Sequence, residues 1–154
     1  MAALNEIPKA PRSLSIVFWA LVVAFVALIL TVLFPDALNI FRPAFLSLTA
    51  ICFLLGLALL ILSVRWQERT LLRTFWILAG ASTAGFALGS VLHNVFYALA
   101  IITDEWPVLS GAMEVLEVAF FVIAVLLCPV AFLVGTVGAI VLIVRGRAPA
   151  TTAA

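Results

Sequence analysis

The chain has 154 residues, of which 67% are hydrophobic and 10% are charged, and its formal net charge is +1. A soluble domain carries about 25% charged residues, and one of this length could not keep so much apolar surface away from water. The near-neutral charge gives no electrostatic basis for binding nucleic acid. We therefore predict an all-α integral membrane protein whose main partner is the lipid bilayer.

Four apolar segments predict four transmembrane helices that follow one another along the chain. Each segment meets the requirement of about 20 apolar residues for a helix that crosses the hydrocarbon core. A short cytoplasmic segment, 1–13, is expected to precede them, and a cytoplasmic tail, 148–154, to follow. Within the single transmembrane domain, 14–147, the predicted spans are 14–34, 44–64, 74–102 and 112–144.

Prolines and glycines mark the expected ends of these spans. Pro35 should end the first span, and Pro43 should lie in the first turn of the second. Ser110 and Gly111 should precede the fourth span, and Pro129 should bend it in the middle. The apolar core of the first span is longer than that of a secretory signal, so we interpret this span as an uncleaved anchor.

The basic residues predict the orientation of the bundle. Of the 8 basic residues, all except Arg42 fall on one side of a four-span arrangement, and the positive-inside rule makes that side cytoplasmic. The prediction is an up-down-up-down bundle in the plasma or inner cell membrane, with both termini in the cytoplasm. Arg65, Arg69 and Arg73 serve as topology determinants or bind anionic headgroups. The residues on this side are Lys9, Arg12, Arg65, Arg69, Arg73, Arg145 and Arg147.

Small residues at three- and four-residue steps predict where the helices pack. Lipid is as apolar as leucine, so helices in a membrane associate through close contact of small side chains. Gly85 and Gly89 form a GxxxG match, which marks either a dimer face or packing inside the bundle, and we favour packing inside the bundle. The glycines expected at helix contacts are Gly56, Gly85, Gly89, Gly135 and Gly138.

The polar residues at the outer ends of the third and fourth spans form the candidate site. They are His93 and Asn94 on the third span, and Glu114 and Glu117 on the fourth. A helix rises 1.5 Å per residue, so His93 should lie about 30 Å from Arg73, near the outer interface. The two glutamates are expected in the first two turns of the fourth helix, where negative charge suits the helix dipole. A contact between His93 and Glu117 is predicted.

Three interpretations of this candidate site stay open. The polar groups tie the two helix ends together at a wet surface, form an outward-facing site for a small molecule, ion or proton, or contact a neighbouring subunit. Ionisable groups in membrane segments are functional candidates by default. Histidine together with carboxylates can relay protons or bind a divalent metal.

For the whole chain we expect a small structural or accessory membrane subunit, either in a homo-oligomer or in a larger membrane complex. The alternative is binding or transport of a small molecule, ion or proton through the outward-facing site. Enzyme chemistry is not expected, because no nucleophile and base are paired and a single histidine excludes a bis-histidine haem within one chain. Cys52 and Cys128 lie in apolar spans without CxxC spacing, so no metal or cofactor is implied.

Overall fold

The computed structural model describes residues 11–33, 35–68 and 70–145, with the backbone alone for 31–45. Lys9, Arg69, Arg147 and the segments 1–10 and 146–154 lie outside the described residues. Every regular element in the described part of the chain is helical, which confirms the all-α prediction there. The elements are α1 (Arg12–Leu33), α2 (Pro35–Arg65), α3 (Leu71–Ile102), α4 (Pro107–Val122), a π-helical segment (Ile123–Leu127) and α5 (Cys128–Arg145).

Four helical runs are long and apolar enough to cross a membrane, as the sequence predicts. The fourth run is continuous through α4, the π-helical segment and α5, and we call it the fourth span. The segments 14–30, 46–64, 74–92 and 118–144, which form the central parts of these runs, contain no Asp, Glu, Lys, Arg or His. The candidate spans are Arg12–Leu30, Leu46–Arg65, Leu71–Ile102 and Pro107–Arg145.

Two helices begin earlier than the predicted spans, and each begins at a proline. α2 begins at Pro35 rather than at Ala44, so Pro43 lies inside the helix instead of in its first turn. α4 begins at Pro107 rather than at Ala112. Proline suits the first position of a helix because an N–H there would have no intrahelical acceptor. A proline can therefore start a helix at a place where we expected a loop.

Pro129 in the fourth span is preceded by a wider helical turn. Proline has no N–H to donate, and its ring crowds the carbonyl group four residues earlier. The π-helical segment ends at Leu127, and the N–H of Cys128 donates to the carbonyl of Ile123, five residues back. The sequence predicts a disturbance at this proline, and the structure shows a change of helix type just before it.

α3 is the central helix, and its first contact face packs closely against α2. A Cβ atom on Gly80 would lie 2.8 Å from the carbonyl oxygen of Gly56, and one on Gly56 would lie 2.9 Å from the Cβ of Thr83. Real Cβ contacts are essentially never this short, so both positions require glycine at this helix separation. Gly80 was not among the glycines predicted for helix packing.

A second face of α3 packs against α5 with similarly short distances. A Cβ atom on Gly135 would lie 2.8 Å from the backbone nitrogen of Ala79. A Cβ atom on Gly138 would lie 2.5 Å from the ring of Phe75, whose side chain would have to move. Residue numbers fall along α3 as they rise along α5, so these two helices run in opposite directions.

The glycines of the GxxxG match also face the fourth span. A Cβ atom on Gly85 would lie 3.2 Å from the sulfur of Cys128, and one on Gly89 would lie 3.1 Å from the Cβ of Ala124. Both glycines therefore take part in packing within the chain, as we favoured from the sequence. Cys128 is a buried free thiol at this contact, and Cys52 is likewise free and buried.

Aromatic side chains from three helices fill the buried core. The ring of Phe18 in α1 lies 6.0 Å from the ring of Trp76 in α3, measured between centroids. Phe25 in α1 lies 3.9 Å from Phe132 in α5. Trp66, just after α2, lies 5.7 Å from Trp76. In lipid such side chains stabilise a bundle mainly by van der Waals contact rather than by leaving water.

The close contact of α2 with α3 can be tested with two matched alanine variants. Gly80→Ala should be less stable than Gly111→Ala by about 1–3 kcal/mol, the usual cost of overpacking. The new Cβ of Gly80→Ala meets backbone atoms of Gly56 and Leu60, whereas nothing lies within 4 Å of a Cβ on Gly111. Both variants gain the same helix propensity, so the difference isolates the contact. SDS titration in detergent measures the free energy of unfolding of each variant. Equal free energies for the two variants would contradict the close approach of α2 to α3.

Candidate functional site

A tight turn joins the end of α3 to the start of α4. The N–H and the hydroxyl group of Thr103 both donate to the carbonyl oxygen of Leu99, at 3.0 and 2.8 Å. The hydroxyl of Ser110, in the first turn of α4, donates to the carbonyl oxygen of Ala100 at 3.3 Å. These bonds hold the first turn of α4 against the last turn of α3 and so position the side chains that follow.

The predicted contact between His93 and Glu117 is present. The Nδ1 atom of His93 lies 3.3 Å from the backbone oxygen of Glu117 and 3.8 Å from its carboxylate Oε1. The imidazole ring also lies 5.3 Å from the ring of Phe121. The two polar side chains are 28% and 21% exposed. An imidazole with a proton on Nδ1 donates to the backbone carbonyl, and the pair becomes an ion pair when the ring carries its second proton.

An open groove of about 310 Å³ lies between α3 and α4 near this contact. Three carboxylates line it, those of Asp104, Glu114 and Glu117. The hydroxyl groups of Tyr97 and Ser110 add further hydrogen-bonding capacity. We call it the acidic groove, and its lining is Tyr97, Ala100, Ile101, Asp104, Ser110, Glu114 and Glu117. Its chemistry suits a cation or a hydrogen-bond donor.

Asn94 lies away from the other candidate residues. Its side-chain nitrogen donates to the carbonyl oxygen of Ser90 at 2.7 Å, within α3. It lines a different, mostly apolar groove between α2 and α3, together with Phe53 and Phe86. Neighbouring residues on a helix do not face the same way, because each turn of the helix takes 3.6 residues. The structure therefore brings together His93, Glu114 and Glu117, but not Asn94.

The glutamates lie further along α4 than the sequence suggested. α4 begins at Pro107 and has no acidic residue in its first turn, so Glu117 lies beyond the first two turns. The effect of the helix dipole falls off within the first turn. The expected stabilisation of these carboxylates by the helix dipole therefore does not apply.

Three polar residues of the acidic groove were not predicted as site residues. Tyr97 follows His93 by four residues and shares its side of α3, so helical spacing could have identified it. Asp104 and Ser110 were assigned to a loop, and Ser110 is instead a buried residue of α4. Their positions depend on where α4 begins, which the sequence analysis did not predict.

Among residues 11–33, 35–68 and 70–145, no group of three or more His, Cys, Asp or Glu side chains is arranged to hold a metal ion. By length and composition, the four apolar helices indicate a membrane protein. Comparison of the chain with protein-family models, curated proteins and solved structures found no match.

Proposed function

We propose that the chain is a multi-pass protein of the plasma or inner cell membrane that serves as a small structural or accessory subunit. It acts in a homo-oligomer or in a larger membrane complex. The observation that carries this proposal is the interior of the bundle, which is filled by glycine contacts and aromatic rings and has no charged residue in the central part of any span. Asp, Glu, Lys, Arg or His side chains inside membrane spans mark ion and proton paths, and these central parts contain none.

The outward-facing surface of the spans supports the same role. Between 11% and 28% of the most apolar stretch of each span is buried within the chain. The rest is half-buried or exposed, and its exposed part is mostly apolar helix surface that lipid tails or the helices of other subunits can cover. Helices in membranes join through such surfaces when side-chain shapes fit.

We further propose the up-down-up-down orientation with both termini in the cytoplasm. Its support is the distribution of charge between the two ends of the bundle. Arg65 ends α2 and Arg73 lies in the first turn of α3, while Arg145 ends α5. The acidic groove, which contains Glu114, lies at the other end of α3. The positive-inside rule assigns the arginine end to the cytoplasm.

Single cysteines in the two turns test this orientation. Gln67→Cys and Glu105→Cys replace exposed residues, one between α2 and α3 and one between α3 and α4. In intact cells a membrane-impermeant maleimide should label Glu105→Cys and leave Gln67→Cys unlabelled, and both should react after lysis. The native thiols, Cys52 and Cys128, are buried and provide the background control. Labelling of Gln67→Cys from outside would contradict the orientation.

The subunit role predicts association that survives mild extraction. After solubilisation in a mild detergent, native mass spectrometry should find a stoichiometric homo-oligomer or a fixed partner, because shape-matched helix surfaces stay in contact without lipid. The same sample in SDS supplies the mass of the single chain. A homogeneous monomer with no partner in the mild detergent would count against the role.

The acidic groove favours a second candidate function, which is binding of a small cation or proton from the outside. Three carboxylates surround one open space, and Glu117 also contacts His93. Negative side chains that line one open space attract a cation. The groove lies at one end of α3 and does not continue into the charge-free centre, so binding is favoured over passage.

Two variants, each of which removes one carboxylate charge, test this second function. Glu117→Gln should weaken binding of guanidinium, a small cation that donates hydrogen bonds, by about tenfold, which is about 1.4 kcal/mol, in calorimetry on reconstituted protein. Glu105→Gln removes the same charge outside the groove and should leave guanidinium binding unchanged. Equal behaviour of the two variants, or no binding by the unsubstituted protein, would eliminate this candidate.

A further inference from the structure

The turn between α2 and α3 is held by Arg73. Its Nε donates to the carbonyl oxygen of Ser63 at 2.9 Å, and its Nη2 donates to that of Val64 at 3.0 Å. Both carbonyls belong to the last turn of α2, where no intrahelical donor is available. The N–H of Arg73 donates in turn to the hydroxyl of Thr70, which caps α3. The guanidinium is therefore held in place by two neighbouring carbonyl groups.

This arrangement leaves part of the guanidinium free to bind a ligand. A guanidinium has five N–H donors in a fixed planar fork. Among the described residues, Ser63 and Val64 supply the carbonyl partners of the Arg73 side chain, through Nε and Nη2. The remaining donors, including both on Nη1, can pair with two oxygens of a phosphoryl group.

A cavity lies beside Arg73 and has a polar part and an apolar part. It is open, measures about 530 Å³, and is lined by Thr70, Leu71, Arg73, Thr74 and Ile77. From Thr70 to Ile77 the helix rises about 10 Å, so the lining changes from hydroxyl and guanidinium groups to isoleucine along α3. Leu71 is 70% exposed, which leaves its apolar surface available for contact. We call this space the Arg73 cavity.

We propose that the Arg73 cavity binds the phosphate group of an anionic phospholipid. The guanidinium of Arg73 pairs with the phosphoryl oxygens. The hydroxyl of Thr74 donates to the carbonyl oxygen of Thr70 at 3.5 Å, a long hydrogen bond, and it turns to donate to the phosphate instead. The side chains of Leu71 and Ile77 contact the glycerol and the first methylene groups. Inorganic phosphate offers the same oxygens but not the apolar part, which is why we assign the site to a lipid. Glu68 is exposed in the preceding turn, but it does not line the cavity.

This inference rests on the proposed membrane orientation. If the arginine end faces the cytoplasm, the Arg73 cavity opens at the leaflet that carries more anionic lipid, where each nearby arginine contributes about 1 kcal/mol of attraction. The proposal goes beyond that general attraction. It assigns binding to one arginine with a fixed side chain and neighbouring hydroxyl groups, and not equally to Arg65, which is exposed at the end of α2.

Native mass spectrometry of the detergent-solubilised protein with added phosphatidylglycerol tests the site, with phosphatidylcholine as the zwitterionic comparison. Arg73→Gln should bind phosphatidylglycerol about 25-fold more weakly than the unsubstituted protein, about fivefold from the general attraction and about a further fivefold from the lost pairing with the phosphate. Arg65→Gln removes the same charge outside the cavity and should lose only the general attraction, about fivefold. Equal weakening in both variants would show general charge attraction and overturn the proposal.

A second variant, a phosphate competition and a membrane extraction distinguish the remaining explanations. Arg73→Gln removes the hydrogen bonds from Arg73 to α2, so this variant can unfold. Thr74→Val keeps those bonds. It should weaken phosphatidylglycerol binding by about threefold and leave the melting temperature unchanged. No change in Thr74→Val alongside an unfolded Arg73→Gln would overturn the proposal. Displacement of the lipid by millimolar inorganic phosphate would overturn the lipid assignment. Carbonate extraction of the same membranes tests membrane insertion separately, so an inserted protein without phosphatidylglycerol preference contradicts this inference alone.

Discussion

The close approach of α3 to its neighbours is the constraint on which the rest of the structure depends. Inside a bilayer, burying an apolar side chain between helices gains little over leaving it in lipid, so backbone proximity and shape must hold the bundle together. Gly80 and Gly56 bring the backbones of α2 and α3 into contact, and Gly135 does the same for α3 and α5. These contacts fix the positions of the helices along one another.

The positions of the helices determine which polar residues meet at the two ends of the bundle. On one side of α3, the contact at Gly80 brings the end of α2 within reach of Arg73, which then binds the carbonyl of Ser63. On the other side, the contacts with the fourth span continue from Gly89 to His93, which therefore meets Glu117. Glycine packing in the apolar middle thus determines which polar groups meet at each end.

The sequence predicted the helices well because the apolar length of a span is a local property. It predicted the packing glycines incompletely because small residues at three- and four-residue steps trace one face of a helix. A central helix needs two contact faces, so Gly80, on the face toward α2, was missed while Gly85 and Gly89, on the face toward the fourth span, were identified. Which helix lies in the centre depends on long-range contacts, which a pattern within one helix does not contain.

The sequence predicted those residues of the candidate site whose positions depend on helical spacing. His93 and Glu117 were matched by counting residues along two helices, and they are in contact. Asn94 was included because it is a polar residue at the outer end of the third span, and it belongs to another face of α3. Asp104 and Ser110 could not be found by spacing, because their positions depend on the start of α4 at Pro107.

The arrangement of the whole bundle favours a subunit role over a transport role. The acidic groove and the Arg73 cavity lie at opposite ends of α3, and between them the helix makes backbone contacts that leave no room for a side chain. Movement of a charge between the two ends would require these contacts to open, and it would have to cross central segments that contain no Asp, Glu, Lys, Arg or His. The π-helical segment Ile123–Leu127 widens the fourth span locally, yet Ala124 within it still packs against Gly89. The centre of the bundle is closely packed, and its two ends differ in chemistry. This arrangement suits the proposed subunit, in which lipid binds at the Arg73 cavity and a partner contacts the opposite end.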